Sequence, residues 1–216
     1  MDADKRKTFI FIIILCFISS SLLAITSKAL HSRKKLNEAI ELKKHILKVL
    51  NFNIHNTDTQ TISKLYTKNI RQTQINQNTF YNSLNKDHPG IAILLKGKGL
   101  WGKIEGIVAL EDDFNTIKNI SFYTHHETPG LGSEIESNKF QHQFIGKKIY
   151  NKNGKLISIN LNNHDKKALK TPEEHLIDGI SGATYTSKAV TRILKRTFLK
   201  YDNFLNKSKT DNDNLP

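Results

Sequence analysis

The chain has 216 residues and a mass of 24.7 kDa, enough for one ordinary domain with additional segments but not for an array of domains. A hydrophobic content of 38% and a mean hydropathy of -0.46 exclude a protein that crosses a membrane many times. With Cys16 as its one cysteine, the chain has no disulfide framework, cysteine-ligated zinc site or cysteine-bound iron–sulfur cluster.

The formal net charge of +13 does not by itself indicate a nucleic-acid partner. Lysine, isoleucine and asparagine are all frequent, which is typical of a chain encoded by an AT-rich genome. The basic residues are scattered along the sequence, without the clustered stripe and interleaved aromatic residues of a nucleic-acid interface. We therefore expect no nucleic-acid partner.

The amino-terminal segment has the composition of a membrane span. Thr8–Ile25 contains about 18 consecutive uncharged residues after Lys5-Arg6-Lys7, and a helix of that length spans roughly 27 Å. A cleaved signal peptide is the alternative, but the apolar pattern resumes after Ser19-Ser20-Ser21 without a clean cleavage site. More basic residues follow the span than precede it, yet long domains are translocated regardless of such charges. The sequence predicts an uncleaved anchor at residues 1–30 and leaves its orientation open.

A connector is predicted at residues 31–86. Apolar residues between charges predict a helix over Ser32–Leu50. Asn51–Lys86 is rich in Asn, Gln and Thr and has few apolar anchors, so we predict a loosely packed connection there.

Residues 87–206 have the pattern of a domain with both strands and helices. Three short runs have strand composition: Ile91–Leu95, Lys103–Leu110 and Ile117–His125. The further predictions are a helical turn at Phe140–Phe144, a hairpin around Asn153-Gly154, a final amphipathic helix over Lys188–Leu205 and a polar tail at residues 207–216. The fold class is therefore α+β: one amino-terminal transmembrane helix, then a single domain with a mostly antiparallel sheet and flanking helices.

A string rich in small residues, DGISGATYTS at Asp178–Ser187, stands immediately before the final helix. Gly179 and Gly182 let the backbone turn, and several hydroxyls lie where the helix begins. A helix start offers free N–H groups and the positive end of the dipole, which favour an anion such as a phosphate. Such a string taken alone is more often only a helix cap and a turn.

A second string, HHETPGLG at residues 125–132, predicts a tight and stiff loop. One alternative is an ordinary surface loop stiffened by Pro129. This alternative accounts for the presence of Gly130, but it gives no reason for Glu127 and Thr128 at their positions. A metal site is the other alternative, but adjacent histidines on a strand point to opposite faces and no third ligand has matching spacing. We therefore expect no metal.

Several strings in a fixed order resemble one family of membrane redox proteins. Residues 99–135 (GLWGKIEGIVALEDDFNTIKNISFYTHHETPGLGSEI), 144–150 (FIGKKIY) and 178–187 are similar to the C subunit of the sodium-translocating NADH:quinone oxidoreductase. The G subunit of the related Rnf complex shares the ETPGLG and SGATxT strings, whereas the run beginning at Gly99 looks more like the quinone reductase. Two positions depart from the family pattern, namely His126 in place of Gly and Phe140 in place of Trp.

The resemblance implies that residues 87–206 form an FMN-binding domain. It implies FMN joined through its phosphate, as a phosphoester, to the last threonine of the SGATxT string, Thr186. A flavin transferase would make this bond with FAD as donor, and Asp178 belongs to the motif that it recognises. Trp101 is a candidate for packing against the flavin rings, with a place in the protein core as the alternative. The other cofactor contacts expected are Ser181, Gly182, Ala183, Thr184, Glu127, Thr128, Gly130 and Leu131.

The family role implied is electron transfer from an iron–sulfur centre to a flavin on a neighbouring subunit, on the way from NADH to ubiquinone. The chain would add no catalytic residue to its flavin, and sodium transport would belong to the whole complex, because the single span carries no charge to handle an ion. The family places the domain outside the bacterial cytoplasmic (inner) membrane. Two alternatives stay open: the G subunit of a ferredoxin-linked Rnf complex, and a membrane-tethered binding module without flavin.

Overall fold

The computed structural model describes residues 3–55, 57–75, 78–162 and 171–213. Contacts divide the chain into two compact units, Met1–Leu42 and Lys43–Pro216. Parts of the predicted connector, domain and tail, namely residues 56, 76–77, 163–170 and 214–216, lie outside the described residues.

The first unit belongs to one long helix, α1, which runs over Ala3–Val49. It is the one described helix that is long and apolar enough to cross a membrane, with a mean hydropathy of 2.7 in its most apolar window. Phe11, Phe17 and Leu23 are exposed there, which is consistent with a helix that crosses a membrane. The helix agrees with the predicted anchor and includes nearly all of the predicted Ser32–Leu50 helix.

The second unit is built on a five-stranded antiparallel sheet with the strand order β1-β2-β3-β4-β5. Each strand therefore pairs with its neighbour along the chain, as in a meander. The strands are β1 (Ile70–Ile75), β2 (Asn78–Ser83), β3 (Ile91–Lys98), β4 (Lys103–Leu110) and β5 (Ile117–Thr124). The three strand runs predicted from composition are confirmed as β3, β4 and β5.

The segment predicted to be a loose connection instead contributes a helix and two strands. Helix α2 runs over Thr59–Asn69, and the Asp58 carboxylate caps its first turn by accepting from two backbone amides. Strands β1 and β2 then extend the sheet, with Phe80 and Tyr81 buried. This corrects the prediction, which failed because Gln, Asn and Thr dominate these strands and so hide their few core contacts.

Two helices and a small parallel sheet complete the unit. Helix α3 covers Asn138–His142, and α4 covers Thr184–Asp213, so α4 is longer than predicted at both ends and includes most of the predicted tail. Strands β6 (Asn160–Asn162) and β7 (Leu176–Asp178) pair in parallel. The buried face of α4 joins the main core through Val190, Ile193, Leu194, Phe198 and Tyr201. The α+β class with a mostly antiparallel sheet is confirmed.

The predicted hairpin forms as a tight turn with little pairing around it. Gly154 has a φ of 72°, which favours glycine, and the Asn151 side chain accepts from two amides within the turn. Tyr150 and Leu156 then make a single antiparallel bridge. The amides of Ile157 and Ser158 both donate to the Ile149 carbonyl. Two residues of one segment thus oppose one residue of the other, which interrupts regular strand pairing after the bridge.

Candidate functional site

The two strings singled out in the sequence lie against each other in the second unit. The ETPGLG loop follows β5, and the SGATYT string leads into α4. A Cβ at Gly182 would lie 2.9 Å from Leu131 Cδ2, so the loop and the turn are in close contact there. The φ of Gly182 is 73°, a backbone conformation that also favours glycine.

Ser187 holds the turn before α4 in place. Its buried hydroxyl accepts from the Ile180 amide at 3.0 Å and donates to the Ala183 carbonyl at 3.0 Å. The Ala183 amide closes the same turn by donating to the Ile180 carbonyl at 3.1 Å. Ser187 therefore helps to determine that α4 begins at Thr184 and that Thr186 falls in its first turn.

Glu127 connects three separate parts of the chain through one buried carboxylate. Its Oε1 accepts from the backbone amides of Leu100, at 2.9 Å, and Trp101, at 3.3 Å, in the turn between β3 and β4. Its Oε2 accepts from the Thr186 hydroxyl at 2.5 Å, across a separation of 59 residues in the sequence. The carboxylate thus joins the β3–β4 turn and the ETPGLG loop to the first turn of α4.

Two glycines leave room for this carboxylate and hydroxyl. A Cβ at Gly132 would lie 2.6 Å from Thr186 Oγ1 and 2.8 Å from Glu127 Cβ. A Cβ at Gly99 would lie 2.3 Å from Glu127 Oε1. A side chain at either position would displace its neighbours, so glycine is what permits the backbone to approach the pair so closely.

The Thr186 hydroxyl is enclosed. Thr186 is 2% exposed and Glu127 is 5% exposed, because the loop backbone at Gly132 lies over the hydroxyl. The sequence suggested a hydroxyl at the mouth of the helix, whereas the structure places it beneath the loop. A reactant as large as a flavin nucleotide cannot reach this hydroxyl with the loop in this position.

Large apolar side chains flank the enclosed pair on the protein surface. Trp101 is 69% exposed and Tyr185 is 70% exposed, and Leu100 and Leu131 are also exposed. The amides of Leu100 and Trp101 donate to Glu127, Leu131 precedes Gly132 and Tyr185 precedes Thr186, so these residues surround the same pair. The alternative of a core position for Trp101 is excluded. Tyr185 and Leu100 were missed because an exposed apolar residue has no pattern in the sequence that separates it from a buried one.

The other residues predicted for the site occupy the same loop and turn. Ser181, Gly182, Thr128 and Gly130 are exposed, Thr184 is partly exposed and Ala183 is buried. The Thr128 carbonyl closes the loop by accepting from the amides of Leu131 and Ser133. Asp178 is exposed at the end of β7, and its backbone amide donates to the Gln143 side chain at 2.9 Å.

The two histidines of the loop have local roles. His125 Nδ1 accepts from the Glu127 amide, and its Nε2 lies 3.1 Å from Glu136 Oε1. His126 is exposed and lies against Gly102. The described part of the chain contains no group of three or more His, Cys, Asp and Glu side chains that could hold a metal ion.

The residue types at this site suit a flavin phosphate ester, and the Thr186 hydroxyl is enclosed with the loop in this position. The first amides of a helix lack intrahelical partners and favour an anion, and Thr186 lies in that first turn. The close approach at Gly132 keeps the hydroxyl free of a side chain from the loop, and the exposed aromatic groups of Trp101 and Tyr185 can contact a planar ring system.

Comparison with known proteins defines the class. Residues 99–198 match the FMN-binding domain family, so this part of the second unit is an FMN-binding domain. The predicted family is confirmed as well: the chain is related to the C subunit of the Na(+)-translocating NADH-quinone reductase.

Two of the relatives show the extent of the sequence similarity. The chain is 38% identical over 119 residues to this subunit from Haemophilus ducreyi, which covers 53% of the chain and 44% of the relative. It is 39% identical over 122 residues to the same subunit from Neisseria meningitidis serogroup A, which covers 56% of the chain and 45% of the relative. The matches thus span less than half the length of these curated relatives.

Two solved structures have the same fold. The crystal structure of the corresponding reductase subunit from Parabacteroides distasonis superposes with a TM-score of 0.70 at 28% identity, covering 82% of the chain and 96% of that structure. The crystal structure of Shewanella oneidensis NqrC gives a TM-score of 0.66 at 22% identity, covering 82% and 99%, and supports the fold alone.

Proposed function

We propose that the chain is the membrane-anchored electron-transfer subunit of a sodium-translocating NADH–quinone reductase, with FMN joined through its phosphate to Thr186. One observation carries this proposal: the ETPGLG loop and the SGATYT turn meet at the Thr186 hydroxyl inside a matched FMN-binding domain. The names of the relatives favour this role over that of the G subunit of an Rnf complex.

The first turn of α4 would stabilise the phosphate. An ester at Thr186 keeps one negative charge, and the free amides and positive dipole end of the helix act on that charge. Gly182 and Ala183 place further backbone beside the turn without bulky side chains. Covalent attachment would also prevent loss of the cofactor by dissociation.

The exposed apolar residues would hold the rings. Trp101, Tyr185 and Leu131 offer apolar contact and exclude water from the part of the flavin that they cover. When bound, the flavin supplies the one-electron redox chemistry, and the chain sets its position and surroundings. Thr128 and Gly130 lie in the loop that would close beside it.

Maturation would require the covering part of the ETPGLG loop, at Leu131 and Gly132, to move away, because the Thr186 hydroxyl is enclosed. A flavin transferase with FAD as donor would then reach the hydroxyl. Asp178 and Ser181 are both exposed at the head of the string, where such an enzyme can contact them.

The anchor would hold the domain at the bacterial cytoplasmic membrane. Helix α1 supports a single span, and the family resemblance favours a domain on the outer side. The partners would be the iron–sulfur and flavin subunits of the complex, with ubiquinone as the final acceptor. The compact unit begins at Lys43, which supports a connector that folds together with the flavin domain.

The test is the intact mass and in-gel fluorescence of the full chain after expression with a flavin transferase. We expect the added mass of an FMN phosphoester and a fluorescent band, both of which disappear in Thr186→Ala. Thr67→Ala is the matched control, because this exposed threonine lies in α2 and its loss leaves the site intact. An unmodified wild-type chain would overturn the proposal and favour a tethered binding module.

A further inference from the structure

We propose that Glu127 is the base that accepts the Thr186 proton when the flavin is attached, so that the chain supplies part of the catalysis of its own modification. This inference rests on the proposed function. It concerns how the bond at Thr186 forms, and not what the flavin does afterwards.

The geometry places one carboxylate oxygen on the reacting hydroxyl. Thr186 Oγ1 donates to Glu127 Oε2 at 2.5 Å, so the proton already points at its acceptor. The other oxygen, Oε1, is held by the amides of Leu100 and Trp101, which fix the carboxylate independently of Thr186. The carboxylate can therefore stay in position while the covering part of the loop, at Leu131 and Gly132, moves away.

The surroundings make this carboxylate an effective acceptor. Both residues are at most 5% exposed, so little water competes for the hydroxyl proton. His125 precedes Glu127 by two residues, but its ring nitrogens face the Glu127 amide and Glu136. On the same loop and on the adjoining ends of β3, β4 and α4, the other titratable groups nearest in sequence to the pair are His126, Glu134, Lys98, Lys103, Tyr185 and Lys188.

The chemical step balances without a redox change. Thr186 Oγ forms a bond to the phosphorus on the FMN side of FAD, and the bond between that phosphorus and the bridging pyrophosphate oxygen breaks, so the bridging oxygen leaves with AMP. AMP leaves with the electron pair of that bond, and the hydroxyl proton moves to Glu127 Oε2. The neutral carboxyl group then lies beside the new phosphodiester, which avoids contact between two anions and allows a hydrogen bond to the phosphate.

The test measures the rate of attachment on the purified, unmodified full chain in detergent, with a purified flavin transferase and FAD. Covalent fluorescence is followed at a series of pH values for the wild type, Glu127→Gln and the control Glu134→Gln, an exposed neighbour. Glutamine keeps an acceptor for the Leu100 and Trp101 amides but cannot take the proton. We expect Glu127→Gln to be roughly 10²- to 10⁴-fold slower at neutral pH.

The ratio of wild-type to variant rates separates proton transfer from positioning, because the pH dependence of the transferase cancels in it. We expect the ratio for Glu127→Gln to change with pH, because only the wild type has a group at this position that can exchange a proton, and the ratio for Glu134→Gln to stay near one. A Glu127→Gln rate equal to that of the wild type, or a ratio that is constant with pH, overturns the inference.

Two further results complete the design. If Glu127→Gln fails to fold, Glu127→Asp decides: a different carboxyl group must move the pH midpoint of attachment, and an unchanged midpoint overturns the inference. If the wild type takes no flavin, or Thr186→Ala still takes it, the proposed function itself fails. A modified wild type with an unaffected Glu127→Gln rejects the base and leaves the proposed function in place.

Discussion

A single methyl group at Gly132 tests whether the loop backbone lies against the Thr186 hydroxyl. In Gly132→Ala the new Cβ would lie 2.6 Å from Thr186 Oγ1 and 2.8 Å from Glu127 Cβ. Ordinary contacts need roughly 3.5 Å, so the loop must shift by about 1 Å. Overpacking of this kind costs about 1–3 kcal/mol, which lowers the melting temperature of a unit of this size by roughly 2–12 °C.

The assay combines thermal unfolding of the full chain, followed by near-ultraviolet circular dichroism of its buried tyrosines, with the rate of flavin attachment. The control is Gly154→Ala, at a turn with a φ of 72° and no atom within 4 Å of the new Cβ. That variant suffers backbone strain of about 1–2 kcal/mol but should attach flavin at the wild-type rate. Wild-type stability and attachment in Gly132→Ala would refute the close approach of the loop to Thr186.

Three further predictions concern the turn, a partly buried phenol and the exposed tryptophan. Ser187→Ala should lower the free energy of unfolding, measured by urea titration, by about 1–3 kcal/mol, because it leaves the buried Ile180 amide without its acceptor. Unchanged stability would contradict this role of Ser187. Burial, with nearby Glu105 and Tyr81, raises the pKa of Tyr123 to about 12, so its contribution to stability is full below pH 10 and is lost as pH rises towards 12. The urea midpoint should therefore fall less steeply over that range in Tyr123→Phe, and identical slopes would contradict the shift. Trp101→Ala should change the free energy of unfolding by no more than about 0.5 kcal/mol, because the side chain is exposed. It should raise the flavin fluorescence of the folded, flavin-loaded chain, because a quenching ring is removed. Unchanged flavin fluorescence would place the flavin elsewhere.

The strands that the sequence predicted are those whose own composition demands burial. Residues in β3, β4 and β5 are largely apolar and are bounded by glycines and acidic turns, so a local pattern suffices. Strands β1 and β2 were missed because their place in the sheet depends on the backbone pairing of β1 with β2 and of β2 with β3, which polar composition does not reveal.

The candidate site divides in a similar way. Motif order identified the two strings and Thr186 through the family resemblance, and the structure brings the strings together. No local signal could show that Glu127 reaches both the β3–β4 turn and α4, or that Gly132 covers the hydroxyl, because both are tertiary contacts. The exposure of Trp101 likewise depends on the turn around it and not on its own sequence.

The position of the flavin bond is tested most directly by tandem mass spectrometry of peptides from the full chain after flavin attachment. The fragment series should place the whole FMN phosphoester mass on Thr186, with Ser181, Thr184 and Ser187 unmodified. Flavin mass on any of those three hydroxyls, or on a residue outside Asp178–Ser187, would contradict the assignment of the enclosed threonine as the attachment point.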